Sequence, residues 1–582
     1  MLATRRGHRP KLAPATSPRK AMIDLDASLK EIGEFGAYQK LVVALLCLPA
    51  CFSNAYNFLG FVYLSYTPDH ICSEDQPAGI VLDNLWDYDP TYFESTFVTK
   101  FDLVCDDART NRDVQALLGV GLVIGCVIFS YLQDVFGRRP AFVVSSLTYV
   151  IGGTVSLFMP TVLAFLAVRM LVAINGIAAW NVGYVWAIEF VGPSKRTLVT
   201  TLMCVLYGCA TMSLGLIGWL CRTWVQMGLI TTAPFVVLLL FPLILSESPR
   251  WLITTGRLED AKAVLYRIQT WAGRRAFSTP ALDTMVARMA RQSFELATAK
   301  ATSVSLPQSP MVSTNAAEQQ QPLAAAGPAE GGSAAVELPA GSTGSFLDLF
   351  RGKQLRSKTL LVTFCWIANV MVYSTIAYNT ANLGGNFYVT WVLTCAVEAP
   401  ATLLNLVILN RFGRIIPLSL GLLLSGICCA ATAPAAMLQS EWGVIGLACL
   451  GKFFICMTFA VIYQVGSELY PTTVRGLGIG FSCVVGNAFN VAMPYVVELA
   501  ESYKELPMLV IGTLALVSAF TSIFLPETMG VPLPETLGEA EIAGSVGCAT
   551  AKENLKRMAC LSGQDATDDE MAMEEAQKER VA

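Results

Sequence analysis

The sequence predicts an all-α integral membrane protein, with twelve transmembrane helices arranged as two pseudo-symmetric six-helix halves. Three observations predict it. Charge is too scarce for a water-soluble surface, twelve apolar stretches have the length needed to cross a bilayer, and three charged motifs recur at a nearly constant offset.

Of 582 residues, 54% are apolar and only 14% charged, against about 25% charged in a typical soluble domain. The net charge of −4 offers no basic field for a phosphate backbone, so no nucleic-acid partner is expected. Only two histidines occur, His8 and His70. Histidine-based catalysis and a multi-histidine metal site are thereby disfavoured, and no cofactor, metal or enzymatic activity is expected. The surroundings implied for most of the chain are lipid.

A spanning helix needs about 20 predominantly apolar residues. Six such stretches precede residue 250, at 41–65, 114–133, 140–159, 161–187, 198–219 and 224–245. Six more follow, at 359–378, 386–409, 415–437, 443–466, 474–497 and 505–525. The first 38 residues contain no apolar run, so no cleaved signal peptide is expected.

Lys and Arg near the spans set the orientation. The amino-terminal segment holds Arg5, Arg6, Arg9, Lys11, Arg19, Lys20 and Lys30; Arg138 and Arg139 follow the second span, and Lys195 and Arg196 the fourth. Arg411 and Arg414 follow the eighth and Arg475 the tenth. The loop after the first span carries eleven Asp or Glu between Asp69 and Asp113 against three basic residues. Both termini are therefore expected in the cytoplasm and the acidic loop outside. Of seventeen cysteines, only Cys72 and Cys105 fall in that loop, an oxidising setting in which a disulfide between them is expected. The loop has no Asn-x-Ser/Thr sequon.

The chain thus divides into a cytoplasmic amino-terminal segment (1–38), a first bundle (39–246) with a large outside loop (67–113), a cytoplasmic linker (247–357), a second bundle (358–525) and a cytoplasmic tail (526–582). Within the linker, 300–345 runs through Ala, Gly, Ser, Gln and Pro with few aromatics. Such a composition buries too little apolar surface to offset chain entropy, and disorder is expected. The tail has twelve acidic residues against five basic ones.

The two halves repeat one another. Glu189-Phe-Val-Gly-Pro193-Ser-Lys-Arg196 ends the fourth span, and Glu468-Leu-Tyr-Pro471-Thr-Thr-Val-Arg475 ends the tenth, 279 residues later. Phe136-Gly137-Arg138 recurs as Phe412-Gly413-Arg414 after 276 residues, and Glu247 recurs as Glu527 after 280. Duplicated six-span halves joined by a linker point to a transporter with its site at the midplane between them. Charge clusters at helix ends suit gates that pair in one state and separate in another: Asp134 with Arg138 and Arg139, Glu189 with Arg196, and Glu468 with Arg475. Glu247, Arg250, Arg414 and Glu527 complete this cytoplasmic set.

Gln133-Asp134-Val-Phe-Gly137-Arg138-Arg139 resembles the loop 2–3 signature of the major facilitator superfamily. Glu247-Ser-Pro-Arg250-Trp251-Leu252 and Pro526-Glu527-Thr528 narrow the resemblance to its sugar-porter and organic-ion branches. The long first loop, opened by Thr67-Pro68-Asp69-His70-Ile-Cys72 and closed by Asp102-Leu103-Val104-Cys105, is similar to that of the organic cation, anion and zwitterion transporters. Trp366, Tyr373, Leu383-Gly384-Gly385-Asn386 and Glu398-Ala-Pro400 agree with that family, and the resemblance covers about residues 35–530. Two positions depart from its pattern: Ser130 stands where the family usually has glycine, and Asn410 where it has an acid.

Charges inside the spans are functional candidates by default, because each costs about 2.5–3.5 kcal/mol on insertion scales. Glu398 sits mid-span in the eighth helix and Lys452 in the tenth, a candidate pair; Arg169 lies toward one end of the fourth. The resemblance implies that Glu398 faces the substrate cavity and that Trp180, Trp366 and Tyr373 line it, where aromatic faces attract an ammonium group. It also marks Asn487, twelve residues after Arg475, as the position where cation carriers of the family usually have aspartate and anion or carnitine-type ones arginine. Ile177 replaces a lysine found in some relatives. With neither charge, a zwitterion or weakly charged amine is favoured over a dianion. Gly121 and Gly125 are spaced for close helix contact.

The function expected is an alternating-access carrier of small organic cations or zwitterions, such as amines, amino-acid derivatives and carnitine- or β-alanine-like solutes. The expected setting is the plasma membrane and the expected state a monomer. A proton- or sodium-coupled symporter of organic anions or sugars is the alternative. A receptor has no use for duplicated gate motifs, and no nucleophile–base set supports a membrane enzyme; Gly476-Leu-Gly478-Ile-Gly480 lies within a helix, not after a strand as a phosphate loop would.

Overall fold

The computed structural model describes Leu29, residues 34–70, 88–271 except 177, and 346–560 except 472–473, 530, 532–533, 535–536 and 543. Cys72, Ile177, the 300–345 stretch and the far ends of the chain lie outside the described residues. The described residues fall in two compact units. The main one comprises Phe35–Ser248 with Gly344–Ala582, and the other contains the helices Pro249–Thr254 and Leu258–Trp271, including Arg250.

Helices occupy all twelve expected stretches. Eight candidate spans are long and apolar enough to cross a bilayer: Ala37–Leu64, Ala108–Val135, Ser194–Leu220, Lys353–Asn382, Phe387–Leu409, Ile415–Met437, Glu441–Leu469 and Arg475–Glu498. The third span is Arg138–Ser156, the fourth runs as Val162–Ile174 and Ala178–Glu189, the sixth begins at Trp224–Thr232, and the twelfth is Leu506–Ser522.

Interruptions have local causes. Proline lacks the N–H that an α-helix needs, and Pro234 lies where the sixth span tightens into the 3₁₀ stretch Ala233–Leu240. Pro400 has the same effect in the eighth span, which breaks between Phe387–Ala396 and Glu398–Phe412. That break puts Glu398 in the first turn of a helix, where exposed amide N–H groups favour a carboxylate. The turn before the eighth span uses Gly384 and Gly385 at φ +92° and +70°. Asn386 then caps the helix by accepting from the Tyr388 and Val389 amides.

The packing has the two-fold repetition the sequence predicts. In the first half, span 1 packs on spans 4 and 5, span 2 on span 4, and span 3 on spans 4 and 6. In the second half, span 7 packs on spans 10 and 11, span 8 on span 10, and span 9 on spans 10 and 12. The halves meet along two equivalent seams, span 5 against span 8 and span 2 against span 11. Small residues permit the closest approaches. A Cβ on Gly125 would lie 1.7 Å from the Ile174 carbonyl oxygen, and one on Gly121 2.7 Å from Met170 Sδ, so the pair does bring span 2 onto span 4.

At the end bearing the 66–107 loop, the halves are tied together. Arg112 pairs with Glu498 at 3.0 Å, Tyr495 donates to Asp113 at 2.7 Å, and Tyr378 donates to the Phe58 carbonyl at 3.1 Å. An aromatic cluster from both halves, with Tyr63, Tyr66, Phe93, Phe387 and Trp391 at its centre, fills the same end.

Candidate functional site

The two charges expected to pair inside the spans do so. Lys452 Nζ lies 2.8 Å from Glu398 Oε1, with the two side chains 1% and 5% exposed. Tyr373 donates to the same carboxylate oxygen at 3.1 Å, and its ring lies 5.1 Å from the ammonium. Lys452 also reaches Cys395 Sγ at 3.5 Å. The carboxylate therefore holds two donors, from spans 7 and 10. Two buried charges balanced at this distance are tolerable only as a pair; removing one partner typically costs about 3–5 kcal/mol.

Aromatic rings continue from this pair. Trp366 packs edge-on against Tyr463 at 4.5 Å and Phe459 at 6.1 Å, and Phe459 meets Tyr373 at 5.9 Å. The buried Trp366 indole N–H has no hydrogen-bond partner. From the first half, Trp180 packs edge-on against Tyr207 at 5.5 Å, and Tyr207 lies beside Tyr373 and within electrostatic reach of Glu398 and Lys452. Trp180, Trp366, Tyr373, Glu398 and Lys452 thus belong to one constellation spanning the 5–8 seam.

Sequence reasoning missed Tyr207, Phe459, Tyr463 and Gly208. A Cβ on Gly208 would lie 3.1 Å from Glu398 Cβ, so its missing side chain lets span 5 reach the acid. The available signal was the pseudo-symmetry, which pairs span 5 with span 8; residue type alone does not separate a site phenol from a packing one.

Asn487 sits elsewhere. It donates to the Cys483 carbonyl at 2.8 Å and lines a small cavity with Arg169, Asn57, Gln115, Tyr378 and Asn490, between spans 1, 2, 4, 7 and 11. The position read as uncharged therefore shares its cavity with a buried arginine.

The charge clusters at the opposite end are built twice. Arg138 grips Glu189 with Nε and Nη2 at 3.1 and 2.9 Å, gives Nη1 to the Gln133 carbonyl at 2.9 Å, and approaches Asp134 at 3.5 Å. Glu247 accepts the backbone N–H groups of Arg138 and Arg139 at 3.1 and 2.9 Å. In the second half Arg414 holds Glu468 at 3.2 Å and donates to the Leu409 carbonyl at 2.8 Å, while Glu527 accepts the amides of Arg414 and Ile415 at 2.9 and 3.2 Å. Gly137 and Gly413, at φ +100° and +80°, turn the chain into both clusters. Arg475, expected opposite Glu468, instead donates Nε to the Tyr470 carbonyl at 3.2 Å. Sequence proximity favoured the arginine seven residues away; the fold brings Arg414 in from the neighbouring span. Ser130, in place of the family's glycine, returns its hydroxyl to the Cys126 carbonyl at 2.6 Å.

Cys105 is disulfide-bonded, in keeping with its place in the acidic loop. Among the described residues no group of three or more His, Cys, Asp or Glu is placed to hold a metal ion.

Two six-span halves, two equivalent seams and a doubled charge cluster define a multi-pass membrane protein of the major facilitator class. Residues 113–494 match the Major Facilitator Superfamily model, and the chain belongs to that family. It is 28% identical to Organic cation transporter 1 of Caenorhabditis elegans, over 92% of this chain and 90% of that protein. Identity is also 28% with two Drosophila melanogaster proteins, the Beta-alanine transporter (89% of each chain) and the Carcinine transporter (93% of this chain, 82% of that one). Among solved structures, a proton:xylose symporter shares the fold at TM-score 0.58 and 16% identity, covering 87% of this chain and 99% of that one.

Proposed function

We propose that this protein carries small organic cations or zwitterions across a membrane by alternating access, with Glu398 as the group that receives the substrate ammonium. The observation that carries the reading is the buried Glu398–Lys452 pair, touched by Tyr373 and placed where the two halves meet. An incoming ammonium competes with Lys452 for the carboxylate, and the aromatic faces of Tyr373, Trp366 and Trp180 favour a cation beside it. Exchange of partners keeps the buried charge count even, so the occupied site crosses without a lone ion in the hydrocarbon.

In the same reading, the ties at the loop end close one side, and the Arg138–Glu189 and Arg414–Glu468 clusters participate in closing the other. The named relatives transport organic cations, β-alanine and carcinine, and amines or amino-acid derivatives of that size are the proposed substrates here. The basic residues beside the spans support cytoplasmic termini and an outside acidic loop. Residence in the plasma membrane and a monomeric state belong to the same proposal.

The test is uptake of labelled tetraethylammonium, β-alanine and carnitine in oocytes, with and without sodium and across external pH 5.5–8. Uptake of at least one probe, lost in Glu398→Gln at equal surface abundance, is expected. Unchanged uptake in that variant would remove Glu398 from the site. A strict sodium or proton requirement would favour the coupled-symporter alternative.

A further inference from the structure

Arg169 is a second buried charge in the spans, and its circumstances differ from those of Glu398 and Lys452. It is 5% exposed, and among the described residues no hydrogen bond or ion pair reaches it. The ionisable groups within its electrostatic reach are two phenols, Tyr149 and Tyr378. Their hydroxyls are committed to carbonyls, Tyr149 to Thr231 at 2.7 Å and Tyr378 to Phe58 at 3.1 Å. An unpaired guanidinium in a membrane span is costly and calls for an anion.

The cavity it lines is suited to one. Its volume is about 60 Å³, room for roughly four waters or one carboxylate but not for a whole organic solute. Arg169, Asn57, Gln115, Tyr378, Asn487 and Asn490 supply its polar lining, apolar side chains complete it, and no acidic residue borders it. The Asn490 side-chain oxygen is buried without a partner. That amide is spare hydrogen-bonding capacity facing the same space, since a half-turn presents either its oxygen or its NH₂. Asn57 and Asn487 have their amide nitrogens tied to the Val172 and Cys483 carbonyls, which holds the wall in place.

The cavity and the Glu398 constellation share span 7. Tyr373 touches the acid and Tyr378 borders the cavity, five residues or about 7.5 Å apart along the helix axis. A cation receptor and an anion receptor thus stand on the two sides of one helix run, one at each seam between the halves.

We propose that Arg169 binds a carboxylate-sized monoanion, and that this anion is the carboxylate of a zwitterionic substrate whose ammonium is received at Glu398. The proposal rests on the carrier reading above and deepens it. A guanidinium presents two parallel N–H donors to a carboxylate, so its loss should cost about tenfold or more in affinity for that group. The substrate class is an amino acid or betaine with its charges several bonds apart. A free chloride is the other source of the same chemistry.

The experiment measures KM and surface-normalised uptake of β-alanine, carnitine and tetraethylammonium in oocytes for the parent, Arg169→Gln and Arg169→Lys, in chloride and in gluconate medium. Expected is a rise of about tenfold or more in KM for the zwitterion in Arg169→Gln, a smaller rise in Arg169→Lys, and an unchanged KM for tetraethylammonium. Equal loss for zwitterion and cation per surface copy would overturn the assignment and make Arg169 structural. Chloride-dependent uptake of every probe, abolished in Arg169→Gln, would assign the site to chloride and overturn the substrate carboxylate. A parent that carries tetraethylammonium but neither zwitterion would sink this inference alone; a parent that carries none of the three would sink the carrier reading beneath it.

Discussion

The 5–8 and 2–11 seams are equivalent by the internal repeat, yet their charges are handled in opposite ways. At the first, Glu398 and Lys452 neutralise each other at 2.8 Å and the space is packed with rings. Trp391 of span 8 donates to the Thr211 carbonyl of span 5 at 2.8 Å. At the second, Arg169 faces a polar cavity without an acid. Duplication supplied the same scaffold twice, and divergence of a few side chains made one side self-satisfied and the other receptive. A buried pair must be opened by its ligand, whereas a lone charge is stabilised by one.

The largest effect expected is at the balanced seam. Glu398→Gln strands Lys452 in the interior and should lower stability by about 3–5 kcal/mol, read as an earlier thermal transition of the detergent-solubilised protein. Glu398→Gln with Lys452→Met should recover most of that loss without recovering uptake. A parent-like transition in the single variant would show that the ion pair contributes nothing.

Next is Gly208→Val, which pushes two methyl groups toward Glu398 at the same seam. Overpacking of this kind costs about 1–3 kcal/mol, and uptake should fall further than surface abundance. Gly413→Ala tests a site away from both seams. Its φ of +80° and a Cβ position 2.5 Å from Glu527 Oε2 predict about 1–2 kcal/mol of destabilisation, with KM unchanged in the folded fraction. The smallest effect, of opposite sign, is expected for Arg169→Met. No partner is left stranded, so the thermal transition should stay or rise; a drop comparable to that of Glu398→Gln would erase the contrast between the seams.

Much of the fold was legible because the bilayer imposes a simple rule, and each of the twelve apolar stretches became a helix. The repeat was legible too, since Gly137 and Gly413, Glu189 and Glu468, and Glu247 and Glu527 return in equivalent places. Glu398 and Lys452 could be paired in advance because charge inside a span is rare. Other partners depended on how neighbouring spans rotate. Arg414 rather than Arg475 meets Glu468, and Asn487 faces Arg169 rather than Glu398. Tyr207 is one phenol among eighteen tyrosines, and nothing in its type or spacing marks it.

Glu247 and Glu527 have a mechanical consequence. Each follows the last span of its half and accepts amides at the start of that half's third span. The six helices are therefore clasped into a ring, with the end of each repeat buttoned to its own middle. A body fastened in this way resists internal shear. Displacement is left to the unfastened joints, which are the two seams where the charges lie.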